Sequence, residues 1–205
     1  MNEFLRTNRV EHKTTQAAEG LPRLAWTLEE FEKLSELGFF GGLDRERERI
    51  ELIDGELVPM QSKGIRHENV RALLLNRLIR LLPDGVHVRV EPGWRPGGGH
   101  YLEPDFMFCP ASTSATAVSA AHVLLVIEVA DTSERYDKVI KAGLYAKLGV
   151  REYWVINAAS LETTVHLAPS ETGYGDVKTL AADHMLVPLL VPELSVSLGQ
   201  LDIRE

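Results

Sequence analysis

The amino-acid sequence predicts an α/β (α+β) fold, a mixed β-sheet flanked by helices, on three observations. A hairpin signal, Asp54-Gly55, lies between β-favouring residues. Apolar residues recur at helical spacing over residues 66–82. Residues 123–129 are almost continuously apolar, which is typical of a central strand covered on both faces. Because strand and helix patterns alternate along the chain, these elements indicate an α/β architecture.

The N-terminal region is predicted to contain a flexible segment and a short helix. Residues 1–22 are polar and of mixed charge, and we expect them to be a flexible lead-in to a single domain over residues 23–205. Thr27 and Glu30 form a capping-box pattern, in which each side chain accepts a hydrogen bond from an otherwise unpaired backbone N–H. The helix that begins there should end at Gly38.

The next two elements follow from turn and periodicity signals. Residues 49–60 are predicted to form a β-hairpin, since Asp-Gly is among the strongest short-range hairpin dipeptides. The long helix over residues 66–82 is amphipathic and ends at Pro83-Asp84-Gly85. Its apolar positions are Val70, Leu74, Leu78 and Leu81.

Most of the remaining chain is predicted as strands around one further helix. That helix covers residues 134–148 and ends at Gly149. Residues 111–121 are rich in Ala, Ser and Thr and fit either a loop or a short helix. β-Favouring residues bounded by turn residues predict strands over residues 86–90, 105–109, 123–129, 152–156 and 161–167, and more weakly over 174–180 and 186–191.

Composition and charge limit the classes of function. The 205 residues include 44% hydrophobic and 25% charged residues, an ordinary globular balance. We find no signal peptide and no apolar stretch long enough to span a bilayer, and Cys109 is the only cysteine. We therefore expect a soluble cytoplasmic protein without intramolecular disulfides. The net charge of −8 argues against an extended basic surface for nucleic acid but is compatible with a local basic cleft.

Two carboxylates carry the strongest signal for chemistry. Asp105 follows Pro104 at the head of a strand, and Glu128 interrupts the most apolar strand. Burying an unpaired carboxylate is costly or forces its protonation. Joint coordination of Mg²⁺ would remove that cost, because Mg²⁺ prefers oxygen ligands. The alternative is that Glu128 forms a structural ion pair with an arginine or lysine inside the fold.

Three side chains on the following helix share one face. Asp137, Lys141 and Tyr145 are spaced by four residues, so Lys141 can reach back toward the end of the Glu128 strand. The alternative is a helix salt bridge between Asp137 and Lys141, which would leave Glu128 unexplained. His67 lies on the apolar face of the long helix and is either a packing residue or a side chain that lines the site.

Other catalytic patterns are not met. Gly97-Gly98-Gly99 is not followed by the lysine of a P-loop. Ser133 lacks a nucleophile-elbow context, and no spacing of Cys and His fits zinc. A glycoside hydrolase that uses Asp105 and Glu128 as acid and base remains an alternative. The aromatic content of 7% and Lys141 argue against it.

A series of motifs occurs along the chain in a characteristic order. They are Glu51-Leu52-Ile53-Asp54-Gly55-Glu56-Leu57, His67, Pro104-Asp105, Val126-Ile127-Glu128-Val129, Asp137 with Lys141 and Tyr145, and Gly149-Val150-Arg151-Glu152-Tyr153-Trp154. Together they resemble the Uma-two family of putative restriction endonucleases, a branch of the PD-(D/E)XK nuclease superfamily. The resemblance runs from about Trp26 to Tyr174, and the last three motifs make it specific.

The resemblance implies a restriction-endonuclease-like core, often assembled as a homodimer, that hydrolyses phosphodiester bonds of DNA with Mg²⁺ or, alternatively, Mn²⁺. Asp105 and Glu128 match the two acidic residues of the motif, and with the Val129 carbonyl they would hold the metal. The lysine expected two residues after Glu128 is Ala130 in this sequence. A lysine from the next helix, here Lys141, takes that place.

The resemblance also implies roles for the surrounding residues. Lys141 would position the attacking water and stabilise developing negative charge. Asp137 would orient Lys141, while His67 and Tyr145 would line the site. Arginines on the long helix would either contact phosphates or form a solvated face: Arg66, Arg71, Arg77 and Arg80. The alternative function, motivated by the acidic charge and the displaced lysine, is a catalytically inactive module that acts in dimerisation or nucleic-acid binding.

Overall fold

The structure, a computed structural model, describes residues 9–10, 23–40, 49–60 and 62–203. The predicted flexible lead-in, residues 1–22, lies outside these residues except for strand β1 (Arg9–Val10), which pairs antiparallel with β2 (Arg23–Leu24). The chain divides into two compact units. The first comprises Met1–Met60 and Arg95–Leu102, and the second comprises Gln61–Trp94 and Glu103–Glu205. The single domain over residues 23–205 stays a prediction.

The first unit contains the predicted short helix and hairpin. Helix α1 (Leu28–Glu36) begins at a capping box: the Glu30 N–H donates to the Thr27 hydroxyl, and the Glu30 carboxylate accepts from the Thr27 N–H. Strands β3 (Ile50–Ile53) and β4 (Glu56–Pro59) pair around Asp54-Gly55. Both predictions are confirmed. The small core of the unit comprises Phe31, Ile50 and Leu52, with Tyr101 packed against it.

Gly55, in the hairpin turn, is a position where we expect a side chain to destabilise the protein. Its φ of +77° is left-handed, and a Cβ there would lie 2.5 Å from the Ala25 Cβ. We expect Gly55→Ala to lower the free energy of unfolding by about 1–3 kcal/mol, measured by urea denaturation. Gly85→Ala is the matched control, because Gly85 has a φ of +84° but no atom within 4 Å of its Cβ position. Equal losses in the two variants would show that the Ala25 contact costs nothing.

The second unit is built around one mixed sheet. Within the described residues its six strands have the order β10-β9-β8-β7-β6-β5. Strands β7 and β8 pair in parallel and all other neighbours pair antiparallel, so the predicted mixed sheet is confirmed. The strands are β5 (Val86–Val90), β6 (Phe106–Pro110), β7 (Leu125–Ala130), β8 (Glu152–Asn157), β9 (Thr163–Ser170) and β10 (Gly173–Leu180).

Helices cover the sheet and bring side chains to its strands. Helix α2 (Ile65–Leu81) buries Val70, Leu74 and Leu78 in a core shared with Ile127. The connection from β7 to β8 is a π-helical segment (Tyr136–Lys141) that continues as α3 (Ala142–Lys147). Successive side chains of β7 point to opposite faces, so Ile127 and Val129 join the α2 core while Glu128 faces away from it. The predicted helices at 66–82 and 134–148 are confirmed.

Two expectations about irregular regions have different outcomes. Residues 111–121 contain two short 3₁₀ turns, Ala115–Ala117 and Ala120–His122. The weak strand prediction at 186–191 is wrong, since that segment makes only an isolated bridge between Leu186 and Val196. Pro188 interrupts the segment, and a proline lacks the N–H that a ladder requires.

Among the described residues, the structure has no helix with the length and apolarity needed to cross a membrane.

Candidate active site

Asp105 lies immediately before β6 and is buried. Its Oδ2 accepts the Val129 N–H at 2.8 Å and lies 3.1 Å from Nε2 of His67. Its Oδ1 accepts a hydrogen bond from Nζ of Lys63 at 2.7 Å. Donors from three different segments therefore hold this carboxylate in one orientation.

Glu128 is the buried acidic residue of β7. Its Oε1 accepts hydrogen bonds from Nζ of Lys141 at 2.9 Å and from the Tyr145 hydroxyl at 3.3 Å. Its Oε2 accepts the backbone N–H of Asp105 at 3.1 Å. Since the Val129 N–H in turn donates to Asp105, two main-chain hydrogen bonds tie the two carboxylates together.

Strand register explains why these two carboxylates meet. Phe106 pairs with Ile127 in the antiparallel ladder of β6 and β7. Extending that register by one residue sets Asp105 opposite Glu128, at the sheet end where β6 begins and β7 ends. Residues that are 23 positions apart in the sequence are thus neighbours because the ladder places them so.

The helix after β7 supplies the lysine and tyrosine that the sequence predicted. Lys141 ends the π-helical segment and Tyr145 lies one turn later in α3, and both are buried. Short π-helical insertions are frequent at functional sites. Asp137 is also buried, and its Oδ2 accepts a hydrogen bond from the Ser133 hydroxyl at 2.5 Å. A role of Asp137 in orienting Lys141 stays a prediction.

The structure adds a charged group that sequence reasoning missed. Lys63 forms ion pairs with both Asp105 and Glu91. An Arg71 nitrogen lies 3.5 Å from Oε2 of Glu91, and Arg71 also donates to Glu68 at 2.5 Å. Oε1 of Glu68 lies 3.2 Å from Nδ1 of His67. The spacing of residues in the sequence does not predict this group, because its members come from an irregular segment, a helix and the end of a strand.

The electrostatics of the cluster favour ionised acids. Burial alone would raise the pKa of Asp105, but hydrogen bonds and charge from His67 and Lys63 outweigh it and hold that pKa well below its ordinary range. The hydrogen bond from Arg71 lowers the pKa of Glu68. Among the described residues, four carboxylates of the cluster face two lysines, one arginine and His67.

The donor atoms fit a hard divalent cation. Asp105 and Glu128 present adjacent carboxylates, whose oxygens are the ligands that a hard divalent cation prefers. Within residues 9–10, 23–40, 49–60 and 62–203, no group of three or more His, Cys, Asp or Glu side chains is arranged to hold a metal. Mg²⁺ does not need such a group, since it usually binds through one or two carboxylates and keeps several waters. Asp105 and Glu128 could therefore supply the protein ligands of such an ion.

Comparisons with known proteins agree with the fold. Among the solved structures that are similar is a "putative nuclease belonging to DUF820" from Anabaena variabilis ATCC 29413, with a TM-score of 0.64 and 19% sequence identity. The match covers 85% of this chain and 96% of that chain, and at this identity it shows the shared fold. The comparison with curated proteins finds no match. The model of the Uma2 family, described as "Putative restriction endonuclease", matches residues 28–202, and the chain belongs to that family.

Proposed function

We propose that the chain is a Mg²⁺-dependent DNA endonuclease that hydrolyses phosphodiester bonds. The observation that carries this proposal is the pair of buried carboxylates, Asp105 and Glu128, joined through main-chain hydrogen bonds and faced by the Lys141 ammonium. A structural ion pair explains Glu128 and Lys141 alone. A second ion pair, with Lys63, accounts for Asp105 in the same way. Separate ion pairs do not require the two carboxylates to be joined through main-chain hydrogen bonds, as they are in this member of a family described as restriction endonucleases.

Each residue of the site has a distinct task in this mechanism. Asp105, Glu128 and the Val129 carbonyl would hold Mg²⁺, with Mn²⁺ as an alternative. When bound, the ion would supply Lewis acidity to the phosphate and would make a water easier to deprotonate. Lys141 positions the attacking water and offsets negative charge that develops on the phosphate. Tyr145 donates to the same oxygen of Glu128 as Lys141 does, so it helps to fix the orientation of that carboxylate.

The remaining residues support binding and orientation. His67 contacts Oδ2 of Asp105 and keeps that carboxylate turned toward the end of β7. Arg71 points to the same cluster, whereas the Arg66 side chain is 55% exposed and lies near Asp131. We therefore assign Arg71 to the site and Arg66 to the solvated face of α2. DNA as substrate, assembly as a homodimer and a cytoplasmic location belong to the proposal and rest on the family resemblance and the sequence.

A cleavage assay with a matched carboxylate variant tests the proposal. Wild-type protein is incubated with supercoiled, linear duplex and single-stranded DNA in Mg²⁺, in Mn²⁺ and in chelator. We expect metal-dependent cleavage that is lost in Glu128→Gln, which keeps the shape of the side chain and removes its charge. Glu171→Gln, which alters an exposed residue of the β9–β10 turn, should cleave like wild type.

The outcome separates the endonuclease from the inactive module. Cleavage that persists in Glu128→Gln would assign the activity to a contaminant or to another site. A folded wild-type protein that binds the metal but cuts none of the substrates in either ion would favour the non-catalytic module.

A further inference from the structure

Lys63 holds a position at the site that the family motifs leave unexplained. Its side chain is 17% exposed and lies between two acidic residues, Asp105 and Glu91. The residue precedes Gly64, the N-cap of α2, and belongs to an irregular segment rather than to a helix or strand. A half-buried ammonium in contact with two carboxylates is in effect a cation bound by two oxygen ligands.

The Asp105 oxygen that Lys63 contacts is the one most available to a metal. Oδ2 is engaged by the Val129 N–H and by His67, whereas Oδ1 accepts from Lys63. A carboxylate oxygen has two acceptor sites. An ammonium and a divalent ion on one oxygen would lie within a few ångströms of each other and repel strongly in this buried setting. The Lys63 ammonium and a divalent ion therefore cannot both bind tightly to Oδ1 at the same time.

Glu91 is placed to receive the displaced ammonium. One oxygen of its carboxylate contacts Lys63, and the other lies 3.5 Å from Arg71. Its backbone N–H donates to the Asp105 carbonyl at 3.1 Å, which fixes Glu91 beside Asp105. Its φ of +46° lies in the left-handed region, which costs a residue with a Cβ and persists only where the surroundings enforce it.

We propose that Lys63 and a divalent cation compete for Oδ1 of Asp105, and that Glu91 retains the ammonium of Lys63 when the cation binds. The proposal rests on the proposed function, because it takes Asp105 to be a metal ligand. Lysine suits this role, since its ammonium is a point charge on a flexible stem that can change acceptor without a backbone shift. Lys63 is therefore a positioning residue that sets the affinity of the site for its metal.

Metal binding without DNA tests this directly. Mn²⁺ is titrated into wild type, Lys63→Met and Lys63→Gln, and free Mn²⁺ is followed by electron paramagnetic resonance. We expect both variants to bind Mn²⁺ about tenfold or more tightly than wild type, the size of effect that a like charge at this distance exerts on a neighbouring site. Lys138→Met is the control: it removes one positive charge from a lysine that pairs with Glu134, and it should leave the affinity near that of wild type.

A double-mutant cycle separates competition from a general effect of charge. Glu91→Gln should weaken Mn²⁺ binding in the wild-type background, because the ammonium loses its second acceptor. The same change in Lys63→Met should have a clearly smaller effect, since no ammonium remains to be retained. Lys63→Gln keeps an N–H donor for Asp105, and thermal unfolding of each variant shows which proteins are folded at the assay temperature.

The outcomes for this inference and for the proposed function are distinct. Mn²⁺ binding that is unchanged or weaker in folded Lys63→Met and Lys63→Gln overturns the competition, as does an absence of binding in all variants. Tighter binding in the Lys63 variants without any DNA cleavage supports the competition while it removes the proposed nuclease activity.

Discussion

Lys141→Met is expected to slow metal-dependent DNA cleavage by about 10²–10³-fold, the usual cost of removing one preorganised donor that stabilises transition-state charge. Methionine keeps much of the length of the stem and lacks the ammonium. The physical reason is the placement of Nζ, 2.9 Å from Oε1 of Glu128 and buried with it. An ammonium in such a setting is already oriented before the phosphate arrives. Substrate binding therefore does not include the free-energy cost of desolvating the ammonium.

Single-turnover cleavage rates at saturating Mg²⁺ measure this effect. Mn²⁺ affinity in Lys141→Met should be at least that of wild type, because the oxygens of Asp105 and Glu128 remain and one neighbouring positive charge is removed. Lys138→Met is the matched control on the same helical segment, since Lys138 pairs with Glu134 rather than with Glu128. A folded Lys141→Met protein that cleaves within a few-fold of wild type would remove Lys141 from the catalytic group.

Leu74→Ala is expected to lower the free energy of unfolding by about 2–5 kcal/mol, the range for truncating a fully buried leucine. Leu74 has no exposed surface and lies in the core that α2 shares with Phe106, Ile127 and Trp154. The truncation leaves a cavity between the helix and the central strands, and the surrounding side chains can fill it only in part. Because α2 also carries His67, the loss would loosen the support of Asp105 as well.

Urea denaturation followed by far-UV circular dichroism measures the change. Ile79→Ala is the control on the same helix, since Ile79 is 51% exposed and should lose much less. If Leu74→Ala and Ile79→Ala were equally stable, the packing of α2 on the sheet would contribute little to the stability of the fold.

Local signals in the sequence were sufficient for most of the second unit. The apolar run with Glu128 predicted the buried central strand, and helical spacing predicted α2. Both patterns are strong because burial requires apolar residues at many positions: on both faces of the central strand, and along one stripe of α2. The strand prediction for residues 186–191 was wrong although it used the same signal. Some of the apolar residues there are buried or half-buried, but Pro188 prevents the segment from forming a ladder.

The candidate site was predictable only where residues lie on regular elements. Asp105, Glu128, Lys141 and Tyr145 follow from strand and helix positions, and the structure brings them together. Lys63 and Glu91 could not be found in this way. Their meeting depends on the path of an irregular segment and on a strand end with left-handed backbone, and neither has a periodic signature.

The ladder between β6 and β7 determines which changes of chain length the protein can tolerate. Residues 111–124 join the two strands at the end of the sheet remote from Asp105 and Glu128. A change of length in this connection therefore leaves intact the register that sets Asp105 opposite Glu128. A single residue inserted inside β7 upstream of Glu128 would instead turn that side chain toward the apolar core under α2.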